Sequence, residues 1–124
     1  MRKIPRISDA EWTVMAVLWE QSPRTAHDVV EALAGRVTWS AATIKTMLNR
    51  LVRKRAVRYR ADGKRYLYTP GVSREVCVRS ETRGLADRLF GGATAAMLAH
   101  FVEDARLSRT EIEELRRLLD EKGR

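Results

Sequence analysis

Residues 42–65 concentrate side chains that can donate hydrogen bonds to phosphate or to a base edge. Lys45, Arg50 and Arg53 are interspersed with Ala42, Thr43, Thr46 and Asn49, and Arg58, Arg60, Lys64 and Arg65 follow closely. Lysine and arginine suit guanine edges or phosphate oxygens, asparagine suits adenine, and threonine methyls can meet thymine methyls. No acidic residue lies between Ser40 and Arg60. Bond-making chemistry has little to work with. The two histidines, His27 and His100, lie in different parts of the chain, and no H-E-x-x-H, G-x-S-x-G, C-x-x-C or phosphate-binding glycine loop occurs. Cys77 is the single cysteine, so it offers neither an internal disulfide nor a zinc site. Between Val76 and Val78 it reads as a small buried apolar group. No metal, cofactor or enzymatic activity is expected.

The charge distribution sharpens this picture. The chain carries 24 basic and 16 acidic residues for a net charge of +8. Residues 1–39 balance five of each, whereas residues 40–68 set nine basic residues against Asp62 alone. The remaining stretches nearly cancel, so the whole excess sits in one central segment. A charge run alone is compatible with a merely solvated face. Small polar groups among the bases, and a basic hairpin behind them, favour contact with DNA.

The elements that must position these groups are marked by local signals. Ser8-Asp9-Ala10-Glu11 reads as a capping box with Ile7 and Trp12 as its staple, opening a helix whose buried face is expected at Trp12, Met15, Ala16 and Trp19. Thr25 can cap a second helix with Ala26, Val29, Val30 and Leu33 inward, and Gly35 suits its left-handed end. Ser40 caps a third, expected to run to about Lys54. There Ile44, Met47, Leu48, Leu51 and Val52 face the core and the polar set faces outward. The period then changes to alternation through Val57, Tyr59 and Ala61. Asp62-Gly63 reads as a two-residue turn, and Lys64 to Thr69 as the returning strand. Tyr59, Tyr66 and Tyr68 read as hairpin packing rather than base stacking. Three short helices and a tight hairpin make a winged helix-turn-helix over residues 1–72, with the N-terminal half of the third helix entering the major groove and the wing touching phosphate or the minor groove.

Residues 73–124 read as thin amphipathic helices, broken at Gly91-Gly92 and reopened by the box Ser108 to Glu111. So small a segment rarely buries enough surface to stand alone. It can pack back onto the N-terminal part or intertwine with a second chain; the latter makes it a helical dimerisation domain. Leu85, Leu89, Phe90, Met97, Leu98, Phe101 and Val102, with the stripe Ile112, Leu115, Leu118 and Leu119, would then form the interface. No apolar run is long enough to insert into a membrane, and the basic start leads into no signal segment, which points to the cytoplasm. The fold class expected is mainly α with one small β-hairpin. These residues favour a homodimer that binds double-stranded DNA sequence-specifically; the alternative is a non-specific nucleoid or RNA-binding winged-helix module.

The stretches Ile7 to Trp12 and Val17-Leu18-Trp19 resemble the BlaI/MecI/CopY family of bacterial penicillinase and copper-response repressors. So do Trp39 to Leu51, Arg65-Tyr66-Leu67-Tyr68, Phe90-Gly91-Gly92, Phe101-Val102-Glu103 and Ile112 to Leu115. The resemblance implies a dimer on a near-palindromic operator, with recognition-helix contacts at Thr43, Lys45, Thr46 and Arg50. In the β-lactam branch it implies a membrane sensor-protease, or a protease downstream of it, that releases the repressor by cutting before a phenylalanine matching Phe101. The preceding residue is His100, where the best-known members have asparagine. The copper branch uses paired C-x-C motifs that this chain lacks, which excludes metal-triggered release through them.

Overall fold

The computed structural model describes residues 4–124; the basic start Met1-Arg2-Lys3 lies outside them. Helix α1 (Asp9–Glu20) opens on the expected capping box. The Ser8 hydroxyl accepts from the Glu11 amide at 3.2 Å, and the Glu11 carboxylate accepts from the Ser8 amide at 3.0 Å. Its buried face is Glu11, Val14, Met15, Val17 and Leu18, which corrects the stripe expected from Trp12, Met15, Ala16 and Trp19. Ala16 is exposed, and the two tryptophans are half-buried at the margin, edge to face at 5.1 Å. The indole N–H explains the position of Trp19: it needs an acceptor and finds the Val72 carbonyl at 2.9 Å, while aliphatic groups without polar atoms take the centre.

Helix α2 (Ala26–Leu33) is capped by Thr25 with Asp28 completing the box; it buries Val29 and Leu33 and leaves through Gly35 at φ +81°. Helix α3 (Ala41–Arg53) is capped by Ser40 and buries Ile44, Leu48 and Leu51, with Met47 and Val52 half-buried, the face expected of it. Its exit is unusual. Arg55 takes φ +66° in the position that glycine normally fills, so that the Arg55 amide bonds to Val52 and the Ala56 amide to Leu51.

Strands β1 (Val57–Asp62) and β2 (Arg65–Pro70) pair antiparallel with Asp62 opposite Arg65 and Tyr59 opposite Tyr68. The loop is therefore Gly63-Lys64, not the expected Asp62-Gly63. Gly63 at φ +65° occupies the first loop position and Lys64 is not in the left-handed region, the pattern of a type II′ turn. The base of the hairpin is anchored: buried Tyr68 exchanges two backbone hydrogen bonds with Arg24, at 2.8 and 3.1 Å. Gly71 follows, its amide 2.7 Å from the Ala56 carbonyl, so close that a Cβ would lie 2.8 Å from the Arg55 carbonyl oxygen. Three helices and this hairpin around one core form a winged helix.

Helices α4 (Arg74–Phe90), α5 (Thr94–Asp104) and α6 (Arg109–Lys122) complete the described residues as a mainly α protein with one hairpin. The chain divides into a unit ending at Glu81 and a second of Thr82–Arg124. The first turns of α4 belong to the former because Cys77 is buried in its core, as its apolar neighbours suggested. Burial, then the nearby Glu81, push its thiol up from the ordinary value. In the second unit α4 and α5 meet at Gly91 and Gly92, both at positive φ, and α6 carries the expected box between Ser108 and Glu111. No helix is long and apolar enough to cross a membrane among the described residues.

Candidate nucleic-acid interface

The outward face of α3 is built by the same periodicity that buries its other side. Ala42, Thr43, Lys45, Thr46, Asn49, Arg50 and Arg53 are all exposed. The two threonine hydroxyls are engaged locally: Thr46 donates to the Ala42 carbonyl at 3.0 Å, and Thr43 Oγ1 lies 3.0 Å from Ser40 Oγ. Lys45, Asn49, Arg50 and Arg53 therefore hold the face's uncommitted side-chain donors.

Hairpin register sorts the wing residues. Arg58, Arg60 and Arg65 alternate onto one face, and Tyr59, Ala61, Tyr66 and Tyr68 share the other. The tyrosines pack together, as expected, with Tyr59 and Tyr66 edge to face at 5.0 Å and Tyr59 and Tyr68 at 6.4 Å. Burial first, and then the neighbouring phenols, push the Tyr68 hydroxyl above its ordinary pKa. Of the expected wing cations only Arg65 is paired among the described residues, with Asp62 at 3.1 Å.

A groove of about 620 Å³ joins these parts. Lys45 and Asn49 of α3, Lys64, Arg65, Tyr66 and Tyr68 of the wing, and Thr25 to Asp28 at the start of α2 line it. Arg50, Arg53, Arg58 and Arg60 are exposed and are not part of its lining. The start of α2 was missed from the sequence, although the first helix of a helix-turn-helix commonly crosses the DNA backbone. Asp28 is the groove's one acidic residue. Its carboxyl is held below the ordinary value by the Thr25 amide first and the Thr25 hydroxyl second, so the charge is committed to capping.

One further basic residue is already paired. Lys54 stays exposed, but its Nζ lies 2.6 Å from the Glu11 carboxylate and 2.9 Å from the Arg6 carbonyl. Lys45, Arg50, Arg53, Arg55, Arg58, Arg60 and Lys64 have no carboxylate partner among the described residues. Such uncompensated cations attract polyanions and gain by releasing their counterions.

In the second unit Leu89, Leu98, Phe101, Val102, Ile112, Leu115, Leu118 and Leu119 are exposed, and Leu85 and Phe90 are half-buried. Met97 leaves this set, being only 2% exposed within one chain. The turn at Gly91-Gly92, closed by the Gly92 amide on the Ala86 carbonyl, accompanies burial of both Ala86 and Met97. His100 is exposed in α5, 3.4 Å from Asp104 and 6.1 Å from the Phe90 ring; exposed His27 lies 2.9 Å from Glu31.

Comparison with known proteins bears on this arrangement. The penicillinase repressor family model matches residues 7–121. The penicillinase repressor of Bacillus licheniformis is 37% identical over 121 residues, covering 98% of this chain and 94% of that protein. The methicillin resistance regulatory protein MecI of Staphylococcus aureus (strain N315) is 31% identical over 120 residues, covering 97% and 98%. The solution structure of monomeric B. licheniformis BlaI in complex with the blaP half-operator matches at a TM-score of 0.53 and 43% identity, over 60% of this chain and 92% of that one.

Proposed function

This chain belongs to the penicillinase repressor family and is a DNA-binding transcriptional repressor, and we propose that it acts as a homodimer on a near-palindromic operator. The observation that carries the DNA-facing assignment is the exposed α3 face continuing into the groove beside the wing, where unpaired Lys45 and Lys64 flank Asn49 and Tyr66. In this assignment α3 enters the major groove, where Lys45, Asn49 and Arg50 reach base edges or phosphates. Arg53 and the wing cations Arg58, Arg60, Lys64 and Arg65 hold the backbone.

The homodimer is supported by the second unit's balance of surfaces. Its buried apolar residues among those described are Ala86 and Met97, whereas Leu98, Phe101, Val102, Leu115, Leu118 and Leu119 lie open. Large apolar side chains left open in such number on short helices suit burial against a partner surface. Two winged helices joined this way gain avidity of about 10²–10⁴ over one half-site when the spacing lets both engage. Release by proteolysis at His100-Phe101, after a membrane sensor-protease or a protease downstream of it is activated by a β-lactam or cell-envelope signal, would act by removing that gain. Both side chains are exposed, but the bond lies inside α5, so a protease would have to open a helical turn first. The repressor would work in the cytoplasm, where the operator lies.

The test is selection of duplexes from a random pool by the full-length protein, followed by titration of Lys45→Ala and Arg50→Ala on the selected and on random DNA. A two-fold symmetric consensus is expected. A lost base contact should weaken the selected site by about 1–3 kcal/mol and relax specificity, whereas a lost phosphate contact should weaken both DNAs alike. Selection of no consensus would favour the nucleoid or RNA-binding module, and full affinity in both variants would refute the assigned face.

A further inference from the structure

Tyr66 combines a ring held by internal packing with a hydroxyl that the fold leaves unused. Its ring is held edge to face by Tyr59 at 5.0 Å, yet the residue stays 52% exposed. Its hydroxyl has no hydrogen-bond partner among the described residues. It lines the groove together with Lys45 and Asn49 of α3 and Lys64 and Arg65 of the wing. Tyr68, on the same hairpin face, is buried and anchored to Arg24. The two tyrosines thus divide the work: Tyr68 fixes the base of the hairpin, and Tyr66 presents a phenol further out.

We propose that Tyr66 contacts DNA through its hydroxyl, donating a hydrogen bond to a backbone phosphate that lies between α3 and the wing. The inference rests on the DNA-binding assignment above and adds to it a neutral donor among cationic ones. With α3 in the major groove and the wing beside it, the strand separating the two must cross the groove that Tyr66 lines. A phenol O–H to a phosphate oxygen is a charge-assisted bond, stronger than a neutral one. The ring is already held by Tyr59, so little rotamer freedom is lost on binding. A neutral donor replaces no condensed counterion, which gives it a signature that a lysine cannot mimic.

The experiment compares the full-length protein with Tyr66→Phe and Lys64→Gln, titrating each on a labelled random-sequence duplex over a range of salt concentrations. Tyr66→Phe keeps the aromatic pair and removes only the hydroxyl, so the thermal midpoint should not move. Its affinity should fall about tenfold at every salt concentration, the size of a lost hydrogen bond to a charged group, with the slope of log affinity against log salt unchanged. Lys64→Gln should instead reduce that slope by about one. Unchanged affinity in Tyr66→Phe, beside a wild type that binds with a steep salt dependence, would overturn the inference and leave the DNA-binding assignment standing. Failure of the wild type to bind any duplex would overturn both. A shallower slope in Tyr66→Phe would mean that the substitution disturbs the cationic contacts, and would also refute the hydroxyl contact.

Discussion

Replacing Lys54 with methionine should destabilise the winged-helix unit by more than any surface lysine would suggest. Glu11 is 3% exposed; one carboxylate oxygen meets Lys54 Nζ at 2.6 Å and the Ser8 amide, and the other, Oε2, is buried without a hydrogen-bond partner among the described residues. Removing one member of a buried ion pair costs about 3–5 kcal/mol, because the remaining charge is stranded. The Lys54 side chain is 37% exposed, so water can replace part of its effect and the lower end, about 3 kcal/mol, is expected. For a unit of this size that lowers the thermal midpoint by about 12–24 °C. The double variant Glu11→Gln/Lys54→Met should recover most of the loss, since glutamine serves the capping box without carrying charge. Acidity supplies an independent check. Burial by itself raises the Glu11 pKa, but the Lys54 and Ser8 hydrogen bonds and the Lys54 charge outweigh it and hold the carboxyl below its ordinary value. The wild type's gain is therefore full above the ordinary glutamate range and lost as pH falls through the lowered folded-state value. Without Lys54 the carboxyl should rise instead, so the variant's deficit should shrink on acidification. Urea unfolding followed by tryptophan fluorescence reads the right unit, because Trp12, Trp19 and Trp39 all pack on its core. Equal destabilisation of single and double variants, or a deficit that does not change with pH, would refute a stranded carboxylate.

Arg55→Gly should stabilise the protein by about 1 kcal/mol, because a non-glycine side chain in the left-handed region costs about 1–2 kcal/mol; denaturant midpoints will show it. Gly71→Ala should destabilise by about 1–3 kcal/mol, since the new Cβ would meet the Arg55 carbonyl oxygen at 2.8 Å, and a neutral effect in the same assay would mean that the turn yields freely. Leu115→Asp should convert a dimer to a monomer by light-scattering mass; a mass that stays dimeric would remove α6 from the interface.

The elements that could be read from the sequence are those whose physics is local. The boxes at Ser8–Glu11 and Ser108–Glu111 join residues three apart, so their hydrogen bonds follow from residue type and spacing alone. The two sides of α3 were legible for a similar reason: its apolar residues repeat at the helical period, and its outward face follows by subtraction. Family motifs spread along almost the whole chain made the repressor class visible as well. Which residues of α1 fill the core was decided only in three dimensions. Helical spacing accommodated the tryptophan stripe, but the Trp19 indole needed the Val72 carbonyl, 53 residues away, and that drew it to the margin. Hairpin register was settled the same way. Gly63 fits a two-residue loop at either position, and the choice between Asp62-Gly63 and Gly63-Lys64 goes with Tyr68, whose partner Arg24 belongs to another part of the chain. Glu11 and Lys54 show the limit most plainly. By spacing the first is a cap and the second one more base in a basic stretch; only folding brings them together, 43 residues apart. Burial of Glu11 then makes the pairing matter, because a carboxylate removed from water must find its partner wherever the fold places one, here an ammonium that itself stays at the surface.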